Sequence, residues 1–277
     1  MAVLLSLLAS LSWGTADFLG GTATRRLPVT GVVAVSQAFG LVGVVVVALA
    51  TGAYGATPGY VGWALLGAVF GVVGLAAFYT ALATGTMGVV APIAALGVVV
   101  PVVVGLAEGD RPSAAQGVGV AVAIVGVVLA SGPEVRAGAG GRPLLLAAVA
   151  AVGFGTVIVC VARGARSDVT MTLLVMRLAS VGALVGLAVV GRANLRVHRS
   201  DLPVLAAIGA GDVGANALFA VASRHGLLSI VSVLSSLYPA VTVLLARLVH
   251  AERMTIVQNA GVVAALAGVV LIASGGA

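Results

Sequence analysis

RPSAAQGVGVAVAIVGVVL, residues 111–129, and RMTIVQNAGVVAALAGVVL, residues 253–271, are the two stretches on which the reading of this chain turns. Laid over one another they share the opening arginine, a glutamine (Gln116, Gln258), two glycines seven apart (Gly119 and Gly126; Gly261 and Gly268) and the closing Val-Val-Leu. Similarity between valine-rich helices accounts for the last three letters, but not for the Arg, Gln and Gly frame. The frame recurs at a period of about 140 residues, so the chain carries an internal repeat. With a four-residue slip, Gly88, Leu96 and Pro101 fall on Gly226, Leu234 and Pro239. Nearer the starts of the halves, Trp13-Gly14-Thr15 falls on Phe154-Gly155-Thr156.

The solvent for these helices follows from composition. Of 277 residues, 61% are hydrophobic and 8% charged, against about 25% charged in an ordinary soluble domain. Charges this sparse, with a mean hydropathy of +1.24, leave most of the outer surface facing lipid. Cys160 is the single cysteine, which excludes an intrachain disulfide, and the 39 glycines show no collagen period. The net charge of +6 comes from arginines scattered through short connections. Such charges set topology beside lipid headgroups, and without a basic cluster interleaved with aromatics they argue against nucleic acid as a partner.

A membrane helix needs about 20 apolar residues. Cutting at charge, proline and glycine-rich breaks predicts ten spans: 2–22, 30–50, 60–83, 87–107, 113–131, 143–162, 169–190, 202–222, 226–250 and 255–275. The first begins at Ala2 with no basic residue before it, too long and wrongly flanked for a cleaved signal peptide, so it is expected to remain as a span. Runs of 20 without a period of two exclude β-barrel strands. The expected fold is therefore an all-α membrane protein of ten transmembrane helices in two five-helix repeats, residues 1–137 and 138–277. Five is odd, so the second repeat enters the membrane inverted, a plan best attested in secondary transporters.

These residues resemble the EamA-type transporters of the drug/metabolite transporter superfamily, over nearly the whole chain. The resemblance is carried by the aromatic-Gly pair in the first helix of each half (Trp13-Gly14, Phe154-Gly155) and the proline inside the fourth (Pro101, Pro239). An acidic residue in the next turn (Asp110, Glu252) and the Gln-x-x-Gly-x6-Gly last helix complete it. The first half lacks four residues between Pro101 and Asp110 relative to the second, so Glu108 competes with Asp110 as the matching carboxylate. The resemblance implies that the last helices of the two halves pack on each other through their glycine stripes.

An ionised side chain at the centre of a span costs about 2.5 to 3.5 kcal/mol on insertion scales and needs a partner or a water-filled cavity. Asp17, Arg177 and Asp212 qualify. At about 1.5 Å per residue, Arg177 lies about 12 Å and Asp212 about 15 Å from the face shared by loops 6 and 8, and Asp17 about 22 Å from it. Arg177 and Asp212 are expected to pair, leaving Asp17 for substrate or a proton. Asn216, one turn beyond Asp212, and Gln37, near the repeat position of Arg177, are expected beside them. Trp13, Phe154 and Tyr238 offer ring faces to a cation or an apolar ligand. Pro101 and Pro239 mark interrupted helices, each freeing a carbonyl one turn earlier.

Gly67/Gly71 and Gly182/Gly186, each pair four apart, suggest close helix contacts. Glu108, Asp110 and Arg111, like Glu252 and Arg253, precede the last helices, where acidic groups favour a helix N-terminus and a gating latch is the alternative. His198, His225 and His250 lie in or beside loops with no second ligand at fixed spacing, so neither a metal site nor a cofactor is expected. Arginine is more frequent in odd-numbered loops, which places both termini outside, whereas members of the resembled family are drawn with both inside; orientation stays open.

The resulting expectation is a multi-pass protein of the plasma (inner) membrane that exports a small organic solute by alternating access. No P-loop is present to use ATP, so a gradient must supply the energy, and a proton is the economical choice because carboxylates at membrane depth can titrate. A passive channel and an intramembrane enzyme are the competing classes, and no catalytic nucleophile-base pair is written in the membrane serines. Besides solute and proton, the expected partner is membrane lipid. Ten helices can supply a complete pathway as a monomer or within a homodimer.

Overall fold

The computed structural model describes residues 1–52, 58–84, 90, 93–131, 141–191, 194–250 and 255–274. Eleven α-helices are defined there: α1 (Ala2–Ala23), α2 (Val29–Thr51), α3 (Val61–Thr84), α4 (Val99–Ala107), α5 (Ala114–Ser131) and α6 (Gly141–Ala165). They continue with α7 (Val169–Val189), α8 (Leu202–Ser223), α9 (Leu228–Ser235), α10 (Tyr238–His250) and α11 (Ile256–Ser274). No strand occurs among the described residues. Six helical stretches are long and apolar enough to cross a membrane, and four shorter apolar ones complete ten units. The described residues are thus helical throughout their regular structure, in ten apolar units.

Local chemistry sets the ends. Pro28 precedes α2 in extended backbone, and Pro203 sits in the first turn of α8, where its missing amide hydrogen costs nothing. Asp168 caps α7 by accepting the Met171 N–H at 2.7 Å. Ser113 and Gln116 form a capping box at α5: the Gln116 N–H donates to Ser113 Oγ at 3.3 Å and the Ser113 N–H to Gln116 Oε1 at 2.9 Å. This explains the glutamine of the repeat frame in the first half. Thr255-x-x-Gln258 repeats the spacing before α11.

Two units are interrupted. The ninth, expected as one helix over 226–250, is broken by a turn at Ser236 and Leu237 directly before Tyr238-Pro239. In the fourth, a 3-10 turn at Leu96–Val98 precedes Pro101 inside α4. Proline cannot donate to the carbonyl one turn back, which puts each disturbance upstream of it. Residues 85–89 and 91–92, where the fourth span was expected to begin, lie outside the described set, as do Glu252 and Arg253.

Packing is the reverse of a water-soluble protein's in residue size. The fully buried positions are largely alanines, such as Ala9, Ala64, Ala123, Ala147 and Ala215, each 0% exposed. Large aliphatics point outward, Val69 at 62%, Leu266 at 62% and Val263 at 67%. In lipid the outer surface carries no penalty for apolar bulk, whereas small residues let helix backbones approach. A Cβ on Gly126 would collide with the Ala265 backbone and one on Gly268 with the Ala123 backbone, so α5 and α11 pack through the repeated glycine stripe. Gly74 and Gly153 do the same for α3 and α6. Gly182 and Gly186 do not: a Cβ there meets nothing within 4 Å. Their four-residue spacing lies on the outward face of α7, which corrects the expectation of a close contact.

The remaining contacts set the site. Helix α1 packs on α8, α9 and α10, while α6 packs on α3, on α4 and on the turn before it. Helices α2 and α7 contact each other, and α2 also contacts α8 as α7 contacts α3. Two apolar clusters form layers at different heights. One contains Val32, Tyr79, Leu205 and Ile208 near the odd-numbered loops, and the other Val161, Leu173, Phe219 and Val231 near the even-numbered ones.

Candidate functional site

A cavity lies between those layers. It offers about 90 Å³ to the centres of water-sized spheres, room for several waters at about 10 to 15 Å³ each. All eight residues expected to bind solute or proton line it: Trp13, Asp17, Gln37, Phe154, Arg177, Asp212, Asn216 and Tyr238. Pro101 and Pro239 do not. Pro101 is buried in α4, and Pro239 follows the cavity residue Tyr238 in the first turn of α10.

The aromatic-Gly pairs acquire a physical reason here. A Cβ on Gly14 would lie 2.6 Å from the Tyr238 carbonyl oxygen and 2.5 Å from Val241 Cβ, and one on Gly155 would strike the Gly97 carbonyl and Val100. Each glycine therefore lets the first helix of its half cross an interrupted helix of the other half. The preceding aromatic is thereby held at the cavity wall. Thr242 Oγ1 donates at 3.0 Å to the Gly14 carbonyl, fixing one of these crossings. The Trp13 ring also meets Phe219 and Tyr238 at 6.0 and 6.5 Å between centroids, and Phe154 meets Phe78 edge-on at 5.4 Å.

The polar wall is organised around Asp212. Arg177 Nη2 donates to Asp212 Oδ2 at 2.5 Å, Trp13 Nε1 to Oδ1 at 3.2 Å, and Asn216 Nδ2 to Oδ1 at 3.2 Å. Asn216 Nδ2 also donates to the Asp212 carbonyl at 2.7 Å. Arg177 Nη1 donates to Gln37 Oε1. Its guanidinium thus joins α2, α7 and α8, and its side chain is only 4% exposed. Depth along the helices anticipates the Arg177–Asp212 pair. It does not anticipate the indole donor to Asp212 or the cavity positions of Met176 and Ser180. A Trp side chain gives no sign in sequence of where its single N–H points, and Ser180 Oγ donates to its own helix at the Met176 carbonyl.

Asp17 has a different environment. Among the described residues no hydrogen bond or ion pair reaches its carboxylate, although it lines the same cavity. Gly40 and Gly209 bring α2 and α8 close beside the Arg177 side chain: a Cβ on Gly40 would lie 3.7 Å from Arg177 Nε.

A second polar cluster lies at the face of the even-numbered loops. Glu108 pairs with Arg163 and, at 3.2 Å, with Arg166, and the Arg163 guanidinium stands 5.6 Å over the Trp63 ring. Asp110 Oδ2 accepts the Ser229 N–H at 2.9 Å and the Ser229 hydroxyl at 2.8 Å. It therefore caps α9 in the other half rather than the helix that follows it, α5, which has its own capping box. Among the described residues no group of three His, Cys, Asp or Glu side chains is placed to hold a metal.

Ten apolar helical units among the described residues, packed around a polar, aromatic-lined cavity, define an integral membrane protein. The model of the EamA-like transporter family matches residues 1–132 and 141–274. The chain belongs to that family, which makes it a membrane transporter by descent, as the sequence motifs suggested. A solved structure described only as a crystal structure of a protein superposes with a TM-score of 0.78 at 21% identity, covering 98% of this chain and 95% of that one. At this identity the likeness bears on the fold alone. No curated protein matches the chain.

Proposed function

We propose that this chain is a secondary active transporter of the plasma membrane that exports a small organic solute by alternating access, coupled to protons. The observation that carries the reading is the contrast between two carboxylates in one cavity. Asp212 is held by three side-chain donors, whereas Asp17 has no partner among the described residues. An unpaired carboxylate at membrane depth is costly unless it takes up a proton or a ligand. Exchange between those two occupants couples their movements.

Two inverted repeats, over 1–137 and 138–277, supply the moving parts. In support, the contacts of one half are answered in the other: α1 on α8 by α6 on α3, α2 on α8 by α7 on α3, with α5 on α11 joining the halves. Rocking about the α5–α11 and α2–α7 contacts would expose the cavity to each face in turn. The interrupted fourth and ninth units are the elements able to bend.

The test is tracer counterflow in liposomes containing purified protein, with amines, amino acids, nucleosides and sugars as candidate solutes. Saturable counterflow of one class, lost in Asp17→Asn and driven uphill by a pH gradient, is expected. Counterflow indifferent to pH would remove the proton, and flux that never saturates would replace the carrier by a channel.

A further inference from the structure

The cavity's donors and acceptors, counted separately, bear on which solute it takes. Three charged groups line it: Asp17, Asp212 and Arg177. The cation is committed, with Nη2 on Asp212 and Nη1 on Gln37. Arg177 Nε has no acceptor, but that atom is buried and packed towards the α2 backbone at Gly40, out of reach of a ligand. Of the neutral donors on the wall, the Trp13 indole N–H and the Asn216 amide are also spent on Asp212, which leaves the Gln37 side-chain amide and the Tyr238 hydroxyl, neither of them charged. A ligand carboxylate would find these two neutral donors and a guanidinium whose charge Asp212 already balances, so it would bring a negative charge that no free cation on the wall compensates. The carboxylate left over is Asp17, and the rings of Trp13, Phe154 and Tyr238 stand around the same space.

With Asp17 and Asp212 ionised against one guanidinium, the cavity carries a net charge of −1. A ligand that balances it is a monocation, and aromatic faces attract a cation while also accepting an apolar body. We infer that the cavity takes a small organic amine in its ammonium form, with Asp17 as counter-ion and the rings of Trp13, Phe154 and Tyr238 holding its apolar part, and that it discriminates against amino acids and organic anions of the same skeleton. The inference rests on the transport reading for its physiological meaning, but binding itself can be tested apart from transport.

The experiment uses the full chain in nanodiscs and two matched sets of probes: phenethylamine, phenylalanine and 3-phenylpropionate, then isoamylamine, leucine and 4-methylpentanoate. Within a set only the charged groups differ. Trp13 fluorescence in a Trp63→Phe background and calorimetry report binding. At least one amine is expected to bind saturably and at least tenfold more tightly than its amino acid or acid. Asp17→Asn is expected to weaken amine binding tenfold or more, and Asp17→Glu to retain most of it.

Equal or tighter binding of an amino acid or acid, amine binding unmoved by Asp17→Asn, or saturable binding of no amine overturns the inference. Liposome flux separates the two readings. Amine binding without flux would sink the transport reading and keep the amine site. Flux of an amino acid with no amine binding would do the reverse.

Discussion

Replacing Arg177 with methionine keeps most of the side chain's length and removes its charge and both of its bonds. The loss falls on Asp212, which would keep only Trp13 Nε1 and Asn216 Nδ2, both at 3.2 Å, and on Gln37, which would lose its donor. Breaking a buried ion pair by removing one partner costs about 3 to 5 kcal/mol because a charge is left uncompensated. Neutral hydrogen bonds between membrane helices average about 0.6 kcal/mol. The Arg177 side chain is 4% exposed and that of Asp212 28%, so cavity water partly compensates the orphaned carboxylate. The low end, about 3 kcal/mol, is expected for Arg177→Met.

Adding Asp212→Asn to Arg177→Met removes the orphaned charge and should recover about half of that loss. The assay is a double-mutant cycle over Arg177→Met, Asp212→Asn and the pair, with unfolding followed in bicelles by steric trapping. A single Arg177→Met variant within about 0.5 kcal/mol of the parent, or singles that sum to the double within about 0.5 kcal/mol, would refute the claim that Arg177 is energetically tied to Asp212.

Other outcomes follow from the packing. Gly126→Leu, which forces a side chain into the Ala265 backbone, should destabilise the protein by about 1 to 3 kcal/mol or more, whereas Gly182→Leu, facing open space, should stay within about 0.5 kcal/mol; thermal unfolding in detergent compares the two. Asp110→Ala removes the acceptor at the N-terminus of α9 and should cost about 1 kcal/mol, while protection of the Ser229 amide from hydrogen exchange falls. Gly14→Val, which drives a branched side chain against Tyr238 and Val241, should reduce counterflow at least tenfold while the protein still inserts.

Much of this was legible in the sequence because lipid simplifies the reading. Twenty-residue apolar runs locate the helices, and a charge within one stands out against them. Depth along straight helices brings Arg177 and Asp212 together, since both are counted from the same membrane face. Rotation about each helix is harder to read. Gly182 and Gly186 have the same spacing as Gly67 and Gly71, yet the first pair faces outward while the second packs towards Met176 and Val157. Where helices are apolar all round, periodicity does not mark the inner face. Order along the chain sets Asp110 against the helix next in sequence, but its partner Ser229 is 119 residues away. Pro239 announces a freed carbonyl, whereas nothing before it in the sequence announces the two-residue turn that divides the ninth unit.

The most direct test of the account is proton movement into liposomes containing the purified protein, read with a trapped pH-sensitive dye under pH steps and solute steps, with Asp17→Asn and Asp212→Asn alongside. The account predicts that one solute class drives protons the opposite way across the membrane, one for one and without net charge for a monocation exchanged at Asp17, and that this proton movement vanishes in Asp17→Asn. Proton movement of full size in Asp17→Asn, or solute flux that does not respond to pH, would contradict it.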